Sequence, residues 1–366
     1  MCLLSSLSSV ENRIHLKYTQ RNRRKWNDGE LLRQHKSFKV ISCDRETDIR
    51  RYWNSMGVKN CMYNFNWFYF YNAFCDTPES LKLYIPNDFF HCYIDTFFSN
   101  YRKVNYIDNK NLYNLFFHDI PQPHTLVRKM CGLFLDENYE IIDVQSALSK
   151  CFEAKDVIIK PSINKSGGKG IVFWDSSRDL TILKNVFESE NDFIVQSIMH
   201  QHQTLSNIHN NSLNTIRVMS LIYEGEVYIL SSILRMGSGN SRVDNATQGG
   251  LFCGINGDGS LKKIAFDYNN NSYTHHPNGV KFEAVKIPNY DKCIECVKRM
   301  AARVYAFSRL VSWDLMVGLN GEIILIEPNL SYGGVGFHQM CNGPILKNMT
   351  STIVKQVMSN SPFWMK

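Results

Sequence analysis

The sequence has no apolar run near the roughly 18 residues that a membrane-crossing helix needs,. Its first residues, Met1-Cys-Leu-Leu-Ser-Ser-Leu-Ser, lack a basic stretch ahead of an apolar one, so they do not read as an export signal,. Without such a signal, the 11 cysteines are expected as reduced thiols in a cytoplasmic protein,. A second Cys-x-x-Cys is also missing. The one present, Cys293 and Cys296, falls in a helical pattern with Val297, Met300, Ala301 and Val304, where the spacing turns both inward,. No Ser-His-Asp or Cys-His signature supports covalent hydrolysis, and His200, His202 and His209 have no zinc-ligand spacing,.

Net charge is scarce outside one segment. The total is +7, and residues 11–60 carry all of it, with 13 Lys/Arg against 6 Asp/Glu. The rest holds 28 of each sign and is neutral. The adjacent Arg21, Arg23, Arg24 and Lys25 suggest a solvated helical face or a surface for an anionic partner. No nucleic-acid-binding module follows, so no nucleic-acid partner is expected. At 44% hydrophobic residues the chain can bury a full core,.

Residues 62–74 place eight aromatics in thirteen positions, which fits core packing or a ligand platform,. A helix is expected from 86 to 100. From about 141 onward, strand-like runs at 156–160, 170–174, 192–196, 215–222 and 227–234 alternate with helical patterns at 178–188 and 289–308. This is an α+β pattern rich in antiparallel sheet.

Two motifs carry chemistry. The first is Pro161-Ser-Ile-Asn-Lys-Ser-Gly-Gly-Lys-Gly170, between two strands, with Lys160 at the end of the first. Glycines let backbone N–H groups turn toward phosphate oxygens. The spacing and the following strand exclude a Walker loop and a dinucleotide fingerprint. An ordinary hairpin loop is the alternative. The second runs from Trp313-Asp314 to Glu327-Pro-Asn329. A two-residue turn at Asn320-Gly321 would set Asp314 opposite Glu327 on one face. Asn329 would point the same way. Facing carboxylates repel; a divalent cation with oxygen ligands reverses that, and Mg²⁺ shared with phosphates fits. The competing reading pairs each acid with a nearby Lys or Arg.

Together these strings resemble the ATP-grasp superfamily, and more closely the sugar-transfer-associated ATP-grasp family of polysaccharide biosynthesis. The matching strings are Ile107-Asp-Asn-Lys-Asn111, Val157-Ile-Ile-Lys-Pro161, Ser166-Gly-Gly-Lys-Gly170, Val195-Gln196 with His202, Ser212-Leu-Asn-Thr-Ile-Arg217, Gly249-Gly250-Leu-Phe, His276-Pro277, and Trp313-Asp314 through Glu327-Pro-Asn329.

The resemblance implies an ATP-grasp fold of two α+β subdomains clasping ATP, at 141–200 and 201–345. These would follow a basic segment at 1–60 and an aromatic-rich helical region at 61–140, with a carboxyl-terminal helix at 346–366. Lys110, Lys160 and the Ser166, Gly167, Gly168, Lys169, Gly170 loop would hold the ATP phosphates. Gln196, Ser197 and Ile198 would form the adenine hinge, and Gln201 or His202 could reach the ribose. Arg217, with Lys160, would stabilise the transferred phosphoryl group. Asp314, Glu327 and Asn329 would hold one or two Mg²⁺.

Arg235, Arg242 and Asn245, in a glycine-bearing stretch, could bind an anionic co-substrate, or belong to a solvated loop. His276 lies in a turn that could also contribute to substrate binding. The implied reaction is ATP-dependent amide formation through an acyl phosphate. It would join an amine or amino acid to a uronic-acid-type sugar or glycan precursor in capsule or O-antigen synthesis. A phosphotransferase acting on a hydroxyl and a non-catalytic nucleotide-binding adaptor are the alternatives. A nucleotide sugar or lipid-linked glycan could engage residues 11–60, which could also rest on the inner face of the membrane.

Overall fold

A computed structural model describes residues 2–163 and 168–365, with side chains from Val10 onward. It contains two antiparallel sheets. The first has six strands: β1 (Thr125–Met130), β2 (Leu133–Leu135), β3 (Ile141–Ile142), β4 (Asp156–Pro161), β5 (Val172–Asp175) and β6 (Phe193–Ser197), in the order β3-β2-β1-β6-β4-β5. It therefore begins at Thr125, ahead of the boundary expected at 141. Strands β2 and β3 are only three and two residues long, too short to announce themselves by alternation, and β1 pairs with β2 and with β6.

Helices Val144–Ala154 and Leu180–Ser189 start at aspartates. Asp143 accepts from Ser146 N at 2.7 Å and Asp179 from Thr181 N at 2.8 Å, each satisfying a free helix N–H,. Their apolar faces (Ala147, Leu148, Cys151; Leu183, Phe187) share one core with Val127, Val157, Trp174 and Val195.

The second sheet has seven strands: β7 (Thr215–Tyr223), β8 (Glu226–Met236), β9 (Leu251–Ile255), β10 (Leu261–Asp267), β11 (Ser272–Tyr273), β12 (Leu310–Val317) and β13 (Ile323–Asn329). Their order is β11-β10-β9-β8-β7-β12-β13. Both faces are covered. Ile216 and Val218 of β7 join a core with helix Tyr290–Arg303, which buries Cys293 and Cys296 as its spacing requires. Met219 and Leu221 of the same strand join a core with the amino-terminal helices and helix Thr350–Ser359.

That second core holds most of the 62–74 aromatic run. Trp67, Phe68, Phe70 and Tyr71 are buried there with Trp53 and Phe89, whose rings meet nearly perpendicular at 5.1 Å. The helix expected from 86 to 100 spans 87–98 and is π-wound over Phe90–Ile94. Among the described residues no helix is long and apolar enough to cross a membrane.

The amino-terminal helix, Cys2–Arg33, corrects the reading of the basic segment as wholly surface. Arg23 is 1% exposed. It pairs with Asp95 at 2.6 Å and donates to His91 O at 2.7 Å. Arg24 donates to the carbonyls of Cys61 and Met62. Arg13, Lys17, Arg21 and Lys25 are exposed and lie four apart on one face of this helix. Burial works to raise the Asp95 pKa, but the Arg23 guanidinium holds it below the usual carboxylate range.

Removing one member of a buried pair strands the other. Arg23→Met should therefore lower stability by about 3–5 kcal/mol in urea denaturation. Adding Asp95→Asn should recover part of the loss. An unchanged midpoint in Arg23→Met would show that the pair contributes nothing.

Candidate functional site

The cleft between the sheets holds two adjoining cavities of about 500 Å³ and about 700 Å³. Lys160, Thr215, Val243 and Asp244 line both. The smaller is walled mainly by apolar groups: Ile158, Ile171 and Phe173 from the β4–β5 hairpin, Ile198 and Met199 after β6, and Ile326. The larger is charged, with Lys110, Lys160, Lys169, Arg217 and Arg235 facing Asp108, Asp244, Asp314 and Glu327.

Strand register builds the charged centre. Asp314 on β12 lies opposite Arg217 on β7 and opposite Glu327 on β13. The β12–β13 turn differs from the expected two-residue form. Gly318 and Glu322 close the hairpin around three residues, with Gly321 at φ +83° in the left-handed region,. That shifts the pairing near the turn by one residue. An irregularity between Asp314 and Leu315 shifts it back, because Ile326 is an extra residue between Leu325 and Glu327,. The two carboxylates meet because the two offsets cancel.

Each carboxylate has a cation. Arg217 grips Asp314 with two bonds, Nε–Oδ1 at 2.7 Å and Nη2–Oδ2 at 2.6 Å,. Arg235 reaches Asp314 Oδ2 and Asp244 Oδ1, both at 3.2 Å. Lys110 Nζ lies 3.0 Å from Glu327 Oε2. Asn329 donates Nδ2 to Ser312 O at 3.1 Å and to Asp314 Oδ2 at 3.3 Å. Burial pushes both carboxyl groups up, but Arg217 holds the Asp314 pKa below normal and Lys110 does the same for Glu327,. Burial likewise opposes the Lys110 charge, yet Glu327 keeps its pKa above the usual value.

Lys110 is set by its own string. Asn109 accepts from Asn111 N at 3.0 Å, Asn111 donates to Lys129 O at 3.0 Å, and Lys110 N donates to Ser162 O at 3.0 Å beside the glycine loop. Lys160 donates to Gln196 Oε1 at 3.1 Å. Gln196 Nε2 turns to Pro123 O at 3.4 Å, so its amide is engaged on both sides. Ser197 and Ile198 line the apolar cavity. Gly168 and Lys169 line the charged one, with Gly168 and Gly170 at φ +73° and +78°. Ser166 and Gly167 lie outside the described residues.

Arg242 stacks on the Phe173 ring, 3.8 Å from its centroid, on the apolar side,. Asn245 lines the charged cavity while capping the turn at Ala246–Gln248. Two histidines are not brought to either cavity. His202 accepts from Thr204 N at 3.1 Å and caps a short helix. His276 is buried, with its ring 2.9 Å from Gly237 O. Gln201 lines the apolar cavity, but His209 O, Ser212 O and Asn214 N occupy its amide.

Asp244, Thr215 and Trp26 also line the charged cavity, and the sequence reading did not single them out. Asp244 sits between Arg242 and Asn245, so its place in that polar stretch was its only signal. Trp26 had none.

Among the described residues, no group of three or more His, Cys, Asp or Glu side chains could hold a metal ion. Asp314, Glu327 and Asn329 instead form a set of two carboxylates and one amide, all hard oxygen donors suited to Mg²⁺.

Burial and the neighbouring Lys110 charge push Lys160 down to about 8. Below that pH the amine is a fixed cation; above it, neutral. Competitive acetylation read by mass spectrometry should give a reactivity midpoint near pH 8 for Lys160. The midpoint should move up in Lys110→Met, which removes the repelling charge. A midpoint near the ordinary lysine value of about 10.4 would contradict this.

No curated protein matches the chain. Among solved structures it is similar to D-alanyl-alanine synthetase A from Vibrio cholerae, at 15% identity and TM-score 0.41, covering 69% of this chain and 64% of that one. It is also similar to an L-amino acid ligase from Bacillus licheniformis, at 12% identity and TM-score 0.39, covering 69% and 48%. A third is the biotin carboxylase domain of Hydrogenobacter thermophilus 2-oxoglutarate carboxylase, at 12% identity and TM-score 0.44, covering 72% and 48%. The chain thus spans under two thirds of the length of each. The sequence profile of the sugar-transfer associated ATP-grasp family matches residues 91–355, well over half of the sequence, and the chain belongs to that family.

Proposed function

We propose that the protein is an ATP-dependent carboxylate–amine ligase. One observation carries this reading: two opposed carboxylates share a cleft with cations from separate chain segments, beside an apolar cavity. The apolar cavity takes the nucleoside, with the segment after β6 along its edge. The charged cavity takes the phosphates and the acceptor.

Mg²⁺ fits the Asp314, Glu327 and Asn329 oxygens, and when bound it supplies neutralisation of phosphate charge. Lys110 and Arg217 pair with Glu327 and Asp314 of that set. An arriving triphosphate gives Lys110 and Lys160 new anionic partners and frees Glu327.

An acceptor carboxylate oxygen then attacks the γ-phosphorus, and the bond to the bridging oxygen breaks, releasing ADP. Arg217 and Lys160 face the charge that builds on the transferred group, and act by fixed position rather than covalent bonding. Arg235 holds the acceptor carboxylate. The amine nitrogen attacks the acyl carbon, phosphate leaves, and an amide remains after the amine loses a proton. No protein nucleophile is required. The family's tie to sugar transfer makes a uronate-type sugar carboxylate and an amino acid the pair we assign,.

ADP release should require both a carboxylate and an amine in a screen of uronates and amino acids. Release on a plain alcohol, with every carboxylate–amine pair silent, would make the protein a phosphotransferase. Asp314→Asn and Glu327→Gln should each lower Mg²⁺-dependent turnover by about a hundredfold or more, in protein whose thermal midpoint shows it folded. Unchanged turnover would remove these residues from the metal site.

A further inference from the structure

The amino-terminal helix exposes more than charge. Arg13, Lys17, Arg21 and Lys25 run along one face. Val10, Ile14 and Tyr18 run beside them, with 53%, 65% and 64% of their surface exposed. Each stands three residues ahead of a cation: Val10 of Arg13, Ile14 of Lys17, Tyr18 of Arg21. Residues three apart are neighbours on a helix, so the two rows form one strip. A single exposed apolar side chain is ordinary on a protein surface. Three in line, set among cations, make a patch that solubility does not require.

The strip holds almost no acid. Between Val10 and Lys25 the one acidic residue is Glu11, which pairs with Arg102 at 2.8 Å. Asn12 accepts from the same guanidinium, and His15 stacks on the Tyr101 ring at 5.3 Å. The loop that makes these contacts also exposes Lys103 and Tyr106. Arg23 and Asn27, on the inner face of the helix, are buried. The helix is therefore fixed to the body on one side and presents the strip on the other.

The chemistry of the strip selects its occupant. Its cations need anions, and its apolar side chains gain by leaving water. A protein partner would have to supply both in one matching pattern. An anionic bilayer supplies both everywhere on its surface, with phosphates at the headgroups and hydrocarbon just below. Long Lys and Arg stems let their charges stay at headgroup level while the neighbouring apolar groups go deeper. The tyrosine ring also suits that boundary. The helix is not apolar enough to cross the bilayer, so it would lie along it.

We infer that this strip docks the chain on an anionic lipid surface. Val10, Ile14 and Tyr18 meet the acyl boundary, and the four cations meet the lipid phosphates. Asn22 and Trp26 of the same helix line the charged cavity. Docking therefore sets the cleft within one helix diameter, about 10–12 Å, of the lipid. The inference does not depend on the reaction that the cleft performs.

The test is co-sedimentation of the full chain with vesicles of phosphatidylcholine alone and of phosphatidylcholine mixed with phosphatidylglycerol. In about 0.1 M salt the mixed vesicles should carry the chain down and the neutral ones should not. Raising the salt to about 1 M should release it. Each cation near an anionic surface strengthens binding about fivefold. Lys17→Gln combined with Arg21→Gln should therefore weaken binding about twentyfold, and Ile14→Gln about tenfold. Thermal midpoints should match the parent, since all three side chains are exposed. ADP release on soluble substrates should not change, because none of the three lines the cleft. Binding to neither vesicle, equal binding to both, or binding untouched by the double variant or by Ile14→Gln would overturn the inference. Self-association that Ile14→Gln abolishes, with both vesicles ignored, would assign the strip to a second copy of the chain instead. Vesicle binding by a chain that releases no ADP on any substrate would count against the ligase reading and leave the docking surface standing.

Discussion

Asp314 and Glu327 stand opposite each other on neighbouring strands, with Asp314 only 2% exposed. Two like charges so placed would oppose the pairing of β12 with β13. Their burial would raise both pKa values until one carboxyl kept its proton. Neither happens, because Arg217 and Arg235 bind Asp314 and Lys110 binds Glu327. These cations come from β7, β8 and the segment before β1. The carboxylate pair is therefore a tie between distant parts of the chain, and further backbone bonds repeat it. Lys110 N donates to Ser162 O beside the glycine loop, and Leu325 N of β13 donates to Pro121 O just ahead of β1. A cleft built on exchangeable ion pairs is suited to an anionic substrate, since phosphates can take over cations that the protein already holds in place.

The amino-terminal helix is part of this arrangement. Arg23 pairs with Asp95 and lies 4.2 Å from the Tyr332 ring centroid, and Tyr332 N donates to Asp95 Oδ2 at 3.2 Å. Tyr332 has φ +58°, a conformation that costs a non-glycine residue energy and persists only where neighbours hold it,. It comes three residues after Asn329. The helix thus braces the loop that follows the oxygen-donor trio and supplies Trp26 to the cleft wall. A segment that first reads as a charged surface contributes part of its charge to the interior. Arg13, Lys17, Arg21 and Lys25 keep an exposed stripe along one face of the helix.

What could be read from the sequence was local. Strands β4 and β5 and helix Tyr290–Arg303 follow from composition and period within single segments. The opposition of Asp314 and Glu327 was also legible, although by way of a two-residue turn that the chain does not make. A three-residue turn and the extra residue at Ile326 offset each other. The aromatic run at 62–74 was readable as core, but its edge was not. Trp67 and Phe70 wall a cavity only because helix Val335–Asn342 and the amino-terminal helix pack beside them. Trp26 carries no local signal, since its neighbours in space lie far away in sequence. His202 and His276 show the opposite case: polar residues in suggestive strings whose rings are spent on backbone groups. Strands β2 and β3 escaped notice because two or three residues show no alternation, and β1 because its partner β6 lies far on in the sequence.

The central claim is that an acceptor carboxylate is phosphorylated in this cleft before an amine displaces the phosphate. Turnover with an acceptor carrying ¹⁸O in its carboxylate tests it directly, with the released phosphate analysed by mass spectrometry. Transfer through an acyl phosphate predicts one ¹⁸O atom in phosphate for each amide formed. Phosphate that leaves without label while amide accumulates would contradict the account.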